Sequence, residues 1–262
     1  MTKVPKKIVI RELKNSFGSK QVLSGLNLDV FEGESLVIIG ASGTGKSVLM
    51  KNIVGILRPN SGSIKIDGEE CVNVTNNVRE KISRKLGMLF QGAALFDSLR
   101  LWENVAFGLI SLKISGREEA RLKAIDHLKK VGLSETDADR YPSEISAGAQ
   151  KRVGLARAIA TNPEILFFDE PTTGIDPIMG EIVDGLIVSS VRNLGATALT
   201  ITHDMDSARR IGDRIAMLYG GKIVWIGKTE EIDSSRDGFI QQFINGQVDG
   251  PMAGLITENS SV

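Results

Sequence analysis

The sequence predicts an α/β fold, and three features of its hydrophobic pattern support this prediction. Short apolar runs at residues 36–39, 86–90 and 165–168 have the length and composition of buried strands. Longer segments with helical periodicity follow these runs. Ahead of the first run, residues 8–31 alternate between apolar and polar side chains, which predicts an antiparallel β layer before the core.

The composition is that of an ordinary folded protein. The 262 residues, 42% hydrophobic and 24% charged, allow one large domain with a substantial core. Lys+Arg and Asp+Glu number 32 each, so no basic excess supports nucleic-acid binding. Neither a membrane span nor a secretory signal core is evident, so we expect a cytosolic chain that needs a partner for any membrane role. The single cysteine, Cys71, fits a reducing cytosol and is expected to be an inert loop thiol.

The patterns of the N-terminal half predict a turn, a helix, a strand and a helical pair. The turn covers residues 17–20. The helix begins after the glycine-rich loop that follows the first apolar run, and it continues through Leu57. The strand covers residues 63–68. Residues 101–132 predict two helices, the second packing through Leu122, Ile125, Leu128 and Val131. His127 is predicted on the solvated face of that helix, and residues 72–84 are left unassigned.

In the C-terminal half, capping residues mark the helices. Ser146 is suited to cap a helix through Ala160, and Asp176-Pro177 begins another that stops at Gly195. Residues 214–226 predict a β-hairpin with Gly220-Gly221 as its turn, and the tail from Phe239 to Val262 is expected to be partly helical.

The most specific motif is the glycine-rich loop after the first apolar run. Residues Gly40–Ser47 fit G-x-x-x-x-G-K-[ST] at every fixed position, between a predicted strand and a predicted helix. Glycines there let backbone N–H groups point at an anion, and the helix N-terminus favours the same negative charge. Lys46 would reach the β- and γ-phosphates of a nucleotide, and Ser47 would bind Mg²⁺. A plain glycine-rich turn is the alternative, but the flanking strand and helix favour nucleotide binding.

Polar residues follow the other predicted core strands. Asp169 and Glu170 come directly after a buried strand, where two carboxylates are costly unless they meet metal, water or donors. Beside a phosphate loop, Asp169 is predicted to bind Mg²⁺ and Glu170 to orient or deprotonate the attacking water. Gln91 and His203 also follow strands and are either ligand contacts or structural residues. Phe17 is equally compatible with a structural aromatic and with an adenine-stacking ring.

In this order, the motifs resemble those of the ATPase subunits of ABC transporters over roughly residues 8–235. The resemblance implies a P-loop NTPase (RecA-like) core with an N-terminal antiparallel β subdomain and an inserted α-helical subdomain. It implies a single domain over residues 1–262. Residues 8–92 and 160–235 would form the nucleotide-binding core with its β subdomain, residues 93–159 the helical subdomain and residues 236–262 a C-terminal extension.

The same resemblance assigns roles to individual residues, with ATP and Mg²⁺ as cofactors. The residues with catalytic roles would be Glu170, His203, Gln91 and Lys46. The residues that bind Mg²⁺ would be Ser47, Gln91 and Asp169. Nucleotide contacts fall on Phe17, now as the adenine-stacking ring, and on Gly40, Ala41, Ser42, Gly43, Thr44, Gly45, Lys46, Ser47, Val48, Ser146 and Gly148. Asp176 falls in the D-loop. The signature ISAGA departs from the usual LSGGQ or LSGGM at Ala147 and Ala149, and we expect this to affect turnover more than nucleotide binding.

Four stretches point to a narrower group: MLFQGAALFDSL at 88–99, WENVAFGL at 102–109, DEPTTGIDPI at 169–178 and QQFINGQVDGP at 241–251. They resemble the ATPases of Mla/Mce-type lipid transport systems. This resemblance implies a head-to-tail dimer of two copies around two ATP molecules, on the cytoplasmic face of the inner membrane. The dimer would drive phospholipid transport through an integral membrane permease, with an Mce-type lipid-binding protein as a further partner and no nucleic acid.

Soluble ABC ATPases form the alternative class. The segment between Gln91 and Ser146 is too short for the coiled coil of DNA-repair ATPases, and the single nucleotide domain argues against translation factors. An iron–sulfur assembly ATPase of similar size stays open. A nucleotide-binding scaffold without turnover is a third class, supported only by the unusual signature.

Overall fold

The computed structural model of the protein describes residues 4–252. Within these residues the chain forms ten strands and eight α-helices. The strands are Lys6–Phe17 (β1), Lys20–Phe31 (β2), Ser35–Ile39 (β3), Ser61–Ile66 (β4), Glu69–Glu70 (β5), Leu86–Leu89 (β6), Ile165–Asp169 (β7), Thr197–Ile201 (β8), Arg214–Tyr219 (β9) and Lys222–Lys228 (β10). The helices are Lys46–Ile53 (α1), Asn76–Ser83 (α2), Leu101–Ser111 (α3), Arg117–Lys130 (α4), Ala147–Ile159 (α5), Pro177–Leu194 (α6), Met205–Ile211 (α7) and Gly238–Ile244 (α8).

Most predicted elements form where their sequence signals placed them. The three apolar runs become β3, β6 and β7, and α5 and α6 begin directly after Ser146 and Asp176. Gly195 ends α6 in the left-handed conformation, as its lack of a Cβ allows. The hairpin of β9 and β10 turns at Gly220 and Gly221, both with positive φ.

Element boundaries differ from the predictions at several places. Helix α1 ends at Ile53 rather than Leu57, because Gly55 takes a positive φ of 80° just beyond it. Phe17 and Lys20 belong to strands, so the first turn contains only residues 18 and 19. The unassigned region contains α2, and α7 forms where no helix was predicted. That seven-residue helix is too short to show periodicity, and its sequence signal is the cap Asp204, whose carboxylate accepts from the Asp206 N–H.

The predicted packing face of α4 is wrong at one position. Leu122 is 69% exposed, whereas Ala120, Ala124, Ile125 and Leu128 are buried. His127, predicted on the solvated face, is only partly exposed, and burial lowers the pKa of its imidazole. Small alanines form part of the buried stripe, so the count of large apolar residues misplaced the face by part of a turn.

Contacts divide the described chain into two units, the first comprising residues 4–5, 31–35 and 74–200. In this unit β8, β7 and β6 are neighbours in that order, and β6 runs parallel to β7 with Leu89 opposite Phe168. Helix α5 packs closely on β6. A Cβ at Gly87 would lie 2.1 Å from the carbonyl oxygen of Ala158, so this strand approaches the helix only with glycine there.

The second unit comprises residues 6–30, 36–73 and 201–252 of the described chain. One sheet has the order β2-β1-β4-β5, with antiparallel pairing of β1 with β4 and of β4 with β5. Strand β9 lies between β10 and β3, antiparallel to β10 and parallel to β3. The extension predicted at residues 236–262 is described here only to residue 252, where it contains α8. Residues 253–262 lie outside the described residues.

Between residues 4 and 252, no helix is both long and apolar enough to cross a bilayer. The thiol of Cys71 is half-buried, and burial raises its pKa to about 11. It is therefore protonated at neutral pH and a poor nucleophile, as the sequence predicted.

Candidate functional site

The glycine-rich loop joins β3 to α1 in the second unit. Gly40 has a φ of 153°, and a Cβ there would lie 2.5 Å from the carbonyl oxygen of Leu218 in β9. Gly45 has a φ of 102°, and its Cβ would lie 2.8 Å from the side chain of Val22. At both positions the dihedral angle and the available space exclude a side chain, so the loop backbone lies directly against its neighbours.

Helix α1 begins without a side-chain cap. Its N-cap residue is Gly45, which carries no acceptor, and its first turn contains no acidic residue. No side-chain cap therefore competes for the N–H groups at this helix end, whose partial positive charge favours an anion. A glycine-rich loop that leads into such a helix is the physical arrangement of a phosphate site.

Lys46 places a positive charge inside the loop. Its buried ammonium donates to the carbonyl oxygens of Gly40 (2.8 Å) and Ala41 (3.1 Å). The hydroxyl of Thr44 also donates to Ala41 O at 2.8 Å, which closes the loop on itself. The side chain thus folds back over the loop, where it can pair with bound phosphate oxygens.

Two further predicted site residues, His203 and Phe17, belong to the second unit. The N–H of Thr202 donates to the carbonyl oxygen of Ile38 (3.2 Å), so His203 follows β8 beside the end of β3, where the loop begins. The imidazole of His203 is exposed. Phe17 ends β1 and is 52% exposed, and Val22 of the next strand lies against Gly45.

In the first unit, the carboxylates at the end of β7 are buried. Asp169 is the last residue of the strand, and Glu170 is only 8% exposed. Glu170 has a φ of 48°, a left-handed conformation that is unfavourable for a residue with a side chain. The hydroxyl of Thr173 donates to Glu170 Oε2 at 3.0 Å and holds that carboxylate in place. Backbone strain of this kind is typical of functional sites, where the surrounding structure enforces it.

Lys151 connects Glu170 to Gln91. Because β6 and β7 are parallel neighbours, the residues that follow them lie at the same edge of the sheet. The ammonium of Lys151, on α5, donates to the main-chain carbonyls of both Gln91 and Glu170. Burial lowers the pKa of Lys151, and the nearby carboxylates of Asp169 and Glu170 oppose this shift.

Sequence reasoning assigned no site role to Lys151. A signal was present, because Gly148, Lys151 and Leu155 recur at helical spacing and are all buried in α5. A lysine within a buried helix stripe is uncommon unless it is paired. Its partner Gln91 lies 60 residues earlier in the chain, however, and only the fold reveals the contact.

The predicted signature forms the start of α5. The hydroxyl of Ser146 accepts from the Ala149 N–H at 3.3 Å, which confirms the predicted cap. Gly148 is buried against α6, where a Cβ would lie 2.5 Å from the side chain of Met179. The methyl group of Ala147 is exposed, whereas Ala149 is buried. The first unusual alanine therefore alters the surface that the signature presents.

The donors predicted for Mg²⁺ are a hydroxyl (Ser47), an amide (Gln91) and one carboxylate (Asp169). The described residues contain no cluster of three His, Cys, Asp or Glu side chains that could hold a metal alone. Mg²⁺ is usually bound by one or two carboxylates together with substrate phosphates and waters. The predicted donors, one hydroxyl, one amide and one carboxylate oxygen, are consistent with this type of coordination.

The family model described as ABC transporter matches residues 23–173, a range that contains the phosphate loop, the signature and both strand-end carboxylates. The chain belongs to the ABC transporter family. It is therefore an ATP-binding subunit of such a transporter and hydrolyses ATP in support of transport. The predicted membership of the ABC transporter ATPase family is thereby confirmed.

Two relatives and one solved structure are similar over most of the chain. The probable ribonucleotide transport ATP-binding protein mkl of Mycobacterium leprae is 38% identical over 245 residues, which cover 94% of this chain and 70% of mkl. The chloroplastic protein trigalactosyldiacylglycerol 3 of Arabidopsis thaliana is 38% identical and is matched over 75% of its length, again by 94% of this chain.

The solved structure is a dimeric, post-hydrolysis ATP-binding cassette bound to ADP and Pi. It matches with a TM-score of 0.78 and 33% identity, covering 85% of this chain and 98% of the cassette. This likeness confirms the predicted ABC ATPase fold.

Proposed function

We propose that this ABC transporter subunit powers lipid transport, with phospholipids as the expected cargo, through a partner permease. The phosphate loop carries the nucleotide part of the proposal. Its backbone is fixed by Gly40 and Gly45, its lysine is held inside the loop, and its helix end has no side-chain cap. These are the requirements for binding the β- and γ-phosphates of ATP.

Each residue has a distinct role in this proposal. The loop from Gly40 to Val48 cradles the phosphates, and Lys46 neutralises their charge. Glu170 accepts the proton of the attacking water, and its buried, threonine-held carboxylate is suited to a fixed orientation. Gln91 and His203 contact the γ-phosphate or the water, and Phe17 stacks on the base.

Mg²⁺, when bound, would neutralise charge on the β- and γ-oxygens, with Ser47, Gln91 and Asp169 as the residues that would hold it. Phosphoryl transfer needs chiefly positioning and charge stabilisation, and these side chains can contribute both.

We propose further that two copies close head to tail, with Ser146 and Gly148 of one copy completing the nucleotide site of the other. The solved cassette bound to ADP and Pi is dimeric, which supports the pairing of two copies. A ligand at about 1,000 times its dissociation constant stabilises the state that binds it by about 4 kcal/mol, which is enough to close a marginal interface. Hydrolysis removes the γ-phosphate that joins the two surfaces and lets the dimer open.

The proposal that the cargo is a lipid has its own support, which is independent of the nucleotide site. The plant relative is named after a galactolipid, and the four sequence stretches described above resemble lipid-transport ATPases. The mycobacterial relative, equally identical, is named for ribonucleotide transport, which is the second candidate cargo. We place the chain at the cytoplasmic face of the inner membrane beside a permease, because an ATP-binding subunit of a transporter needs a membrane partner. The match to the ABC transporter family and the transport name of the mycobacterial relative favour a transporter over an iron–sulfur assembly ATPase. An Mce-type lipid-binding protein is the further partner we propose.

Two variants test the nucleotide mechanism. Glu170→Gln should bind ATP like the wild type, lose turnover and accumulate as an ATP-dependent dimer in size-exclusion chromatography with light scattering. Lys46→Ala should weaken nucleotide binding and stay monomeric at the same ATP concentration. If Glu170→Gln hydrolysed ATP like the wild type, Glu170 would not be the catalytic base. If Lys46→Ala bound nucleotide with wild-type affinity, the Gly40–Ser47 loop would not be the phosphate site.

A further inference from the structure

Lys151 is a buried cation in the first unit. The residue is 4% exposed, and its ammonium donates to two main-chain carbonyls that belong to Gln91 and Glu170. These carbonyls lie in the turns that follow β6 and β7. The lysine therefore joins three elements: helix α5 and the two turns that carry proposed hydrolytic side chains.

The geometry indicates how Lys151 would act. Its hydrogen bonds go to the backbone carbonyls of Gln91 and Glu170 and not to the side chains proposed to act in hydrolysis. A hydrogen bond to a carbonyl fixes the peptide plane, and Glu170 is the residue whose φ of 48° has to be enforced by its surroundings. A donor with two acceptors also fixes the spacing between the two turns.

Helix α5 is rigidly connected to the signature. Ser146 caps the helix, and Lys151 lies about one and a half turns further along it. The helix is also held against β6 by the close approaches at Gly87 and Gly154. A shift of the signature would therefore move the ammonium of Lys151 together with the helix.

We propose that Lys151 is a positioning residue that ties the signature helix α5 to the backbones of Gln91 and Glu170 in the same copy. In this arrangement, the signature of one copy contacts the nucleotide bound by the second copy. Lys151 transmits that contact to Gln91 and Glu170 of the copy that carries the signature. The inference rests on the proposed function for its catalytic consequence, but the tie itself can be measured without ATP.

The adjacent residue offers a matched control. Arg152 lies on the same helix and also donates to two main-chain carbonyls, those of Val131 (3.3 Å) and Gly132 (2.9 Å). These carbonyls lie at the end of α4, away from the proposed hydrolytic residues. Arg152→Met therefore removes a comparable cation and a comparable set of hydrogen bonds without touching Gln91 or Glu170.

Hydrogen–deuterium exchange measures the tie directly in the full chain without nucleotide. The N–H of Ala93 donates to Phe90, and the N–H of Thr173 donates to Glu170, so each turn contains an amide that reports on its order. Lys151→Met should accelerate exchange at least tenfold in peptides covering residues 90–95 and 170–174. Arg152→Met should accelerate exchange around residues 131–133 and leave those two peptides unchanged.

Steady-state kinetics supplies the catalytic readout. Lys151→Met should lower kcat by about 100-fold, as expected for misplacing catalytic groups by about 1 Å. KM for ATP should stay within about twofold, because the hydrogen bonds of Lys151 go to Gln91 and Glu170 and leave the phosphate loop Gly40–Ser47 unchanged. Lys151→Arg, which keeps the charge and the donors, should recover part of kcat. If Lys151→Met does not fold, Lys151→Gln replaces it in both measurements.

The outcomes separate the two proposals. Unchanged exchange in both peptides, or the same acceleration in Arg152→Met, would overturn the positioning role whatever the activity. If the wild type hydrolyses no ATP while the exchange pattern is as predicted, the tie stands and the proposed function fails. If exchange changes but kcat does not, the catalytic consequence is wrong.

Discussion

A single methyl group at the start of the phosphate loop should destabilise the protein strongly. Gly40→Ala places a Cβ 2.5 Å from the carbonyl oxygen of Leu218, well inside van der Waals contact. That oxygen belongs to the backbone of β9, which is paired with β3 on one side and β10 on the other. The obstacle therefore cannot rotate away as a side chain could.

The magnitude follows from two separate costs. Forcing a methyl group into a packed site costs about 1–3 kcal/mol. A residue other than glycine at a φ of 153° carries about 1–3 kcal/mol of backbone strain. Together, Gly40→Ala should cost about 2–6 kcal/mol of unfolding free energy. Gly43→Ala is the matched control, because its φ of 78° is also positive but its Cβ would meet nothing within 4 Å. Strain alone, about 1–2 kcal/mol, applies there.

Urea denaturation followed by tryptophan fluorescence measures this difference. With a slope of about 3 kcal/mol per molar urea, Gly40→Ala should lower the midpoint by about 0.7–2 M and Gly43→Ala by about 0.3–0.7 M. Nucleotide titration of whatever protein stays folded should show weaker binding in Gly40→Ala as well, since β3 and the loop have to shift. Equal midpoints for the two variants would refute the reasoning, because a Cβ meets a backbone oxygen at Gly40 and no atom within 4 Å at Gly43.

Three further predictions concern positions outside the loop. Gly185→Ala should raise the unfolding free energy by up to about 1 kcal/mol, because the residue lies inside α6 and its Cβ would meet no atom within 4 Å; an unchanged or lower melting temperature would contradict this. Ser146→Ala should cost about 1 kcal/mol in nucleotide-free protein by removing the acceptor for the Ala149 N–H, and Ser146→Thr should restore most of it. The rate of Cys71 alkylation by iodoacetamide should rise about tenfold per pH unit from pH 8 to 10. Its pKa is about 11, so the fraction of reactive thiolate increases with pH throughout that range. A rate that levels off above pH 9 would show that the pKa of the thiol is not raised.

Local signals predicted the parts of this molecule that depend on neighbouring residues in the chain. The phosphate loop, the caps Ser146 and Asp176 and the turn at Gly220 each arise from a few consecutive residues with a specific conformational requirement. The structure confirms the strand–loop–helix conformation around Gly40–Ser47, the two caps and the turn. The fold class followed from the same signals, because apolar runs of strand length alternate with helical segments.

Features that depend on long-range packing were not predictable in the same way. The contact of Lys151 with Gln91 joins residues 60 positions apart, and the left-handed conformation of Glu170 is imposed by its surroundings. The exposure of Leu122 depends on how α4 is rotated, which its mixed alanine and leucine pattern does not determine. Helix α7 is short enough that only its cap gave a signal.

The central claim is that ATP binding by this chain drives a membrane permease that moves lipids. The most direct measurement is a native pull-down of tagged Glu170→Gln with ATP from detergent-solubilised membranes, with proteins and small molecules identified by mass spectrometry. Lys46→Ala serves as the matched control, because it should not close around ATP. We expect a polytopic permease, a lipid-binding partner and bound phospholipid with Glu170→Gln, and much less of each with Lys46→Ala. A permease that carries ribonucleotides instead would contradict the cargo, and recovery of soluble iron–sulfur scaffold proteins without any permease would contradict the transport role itself.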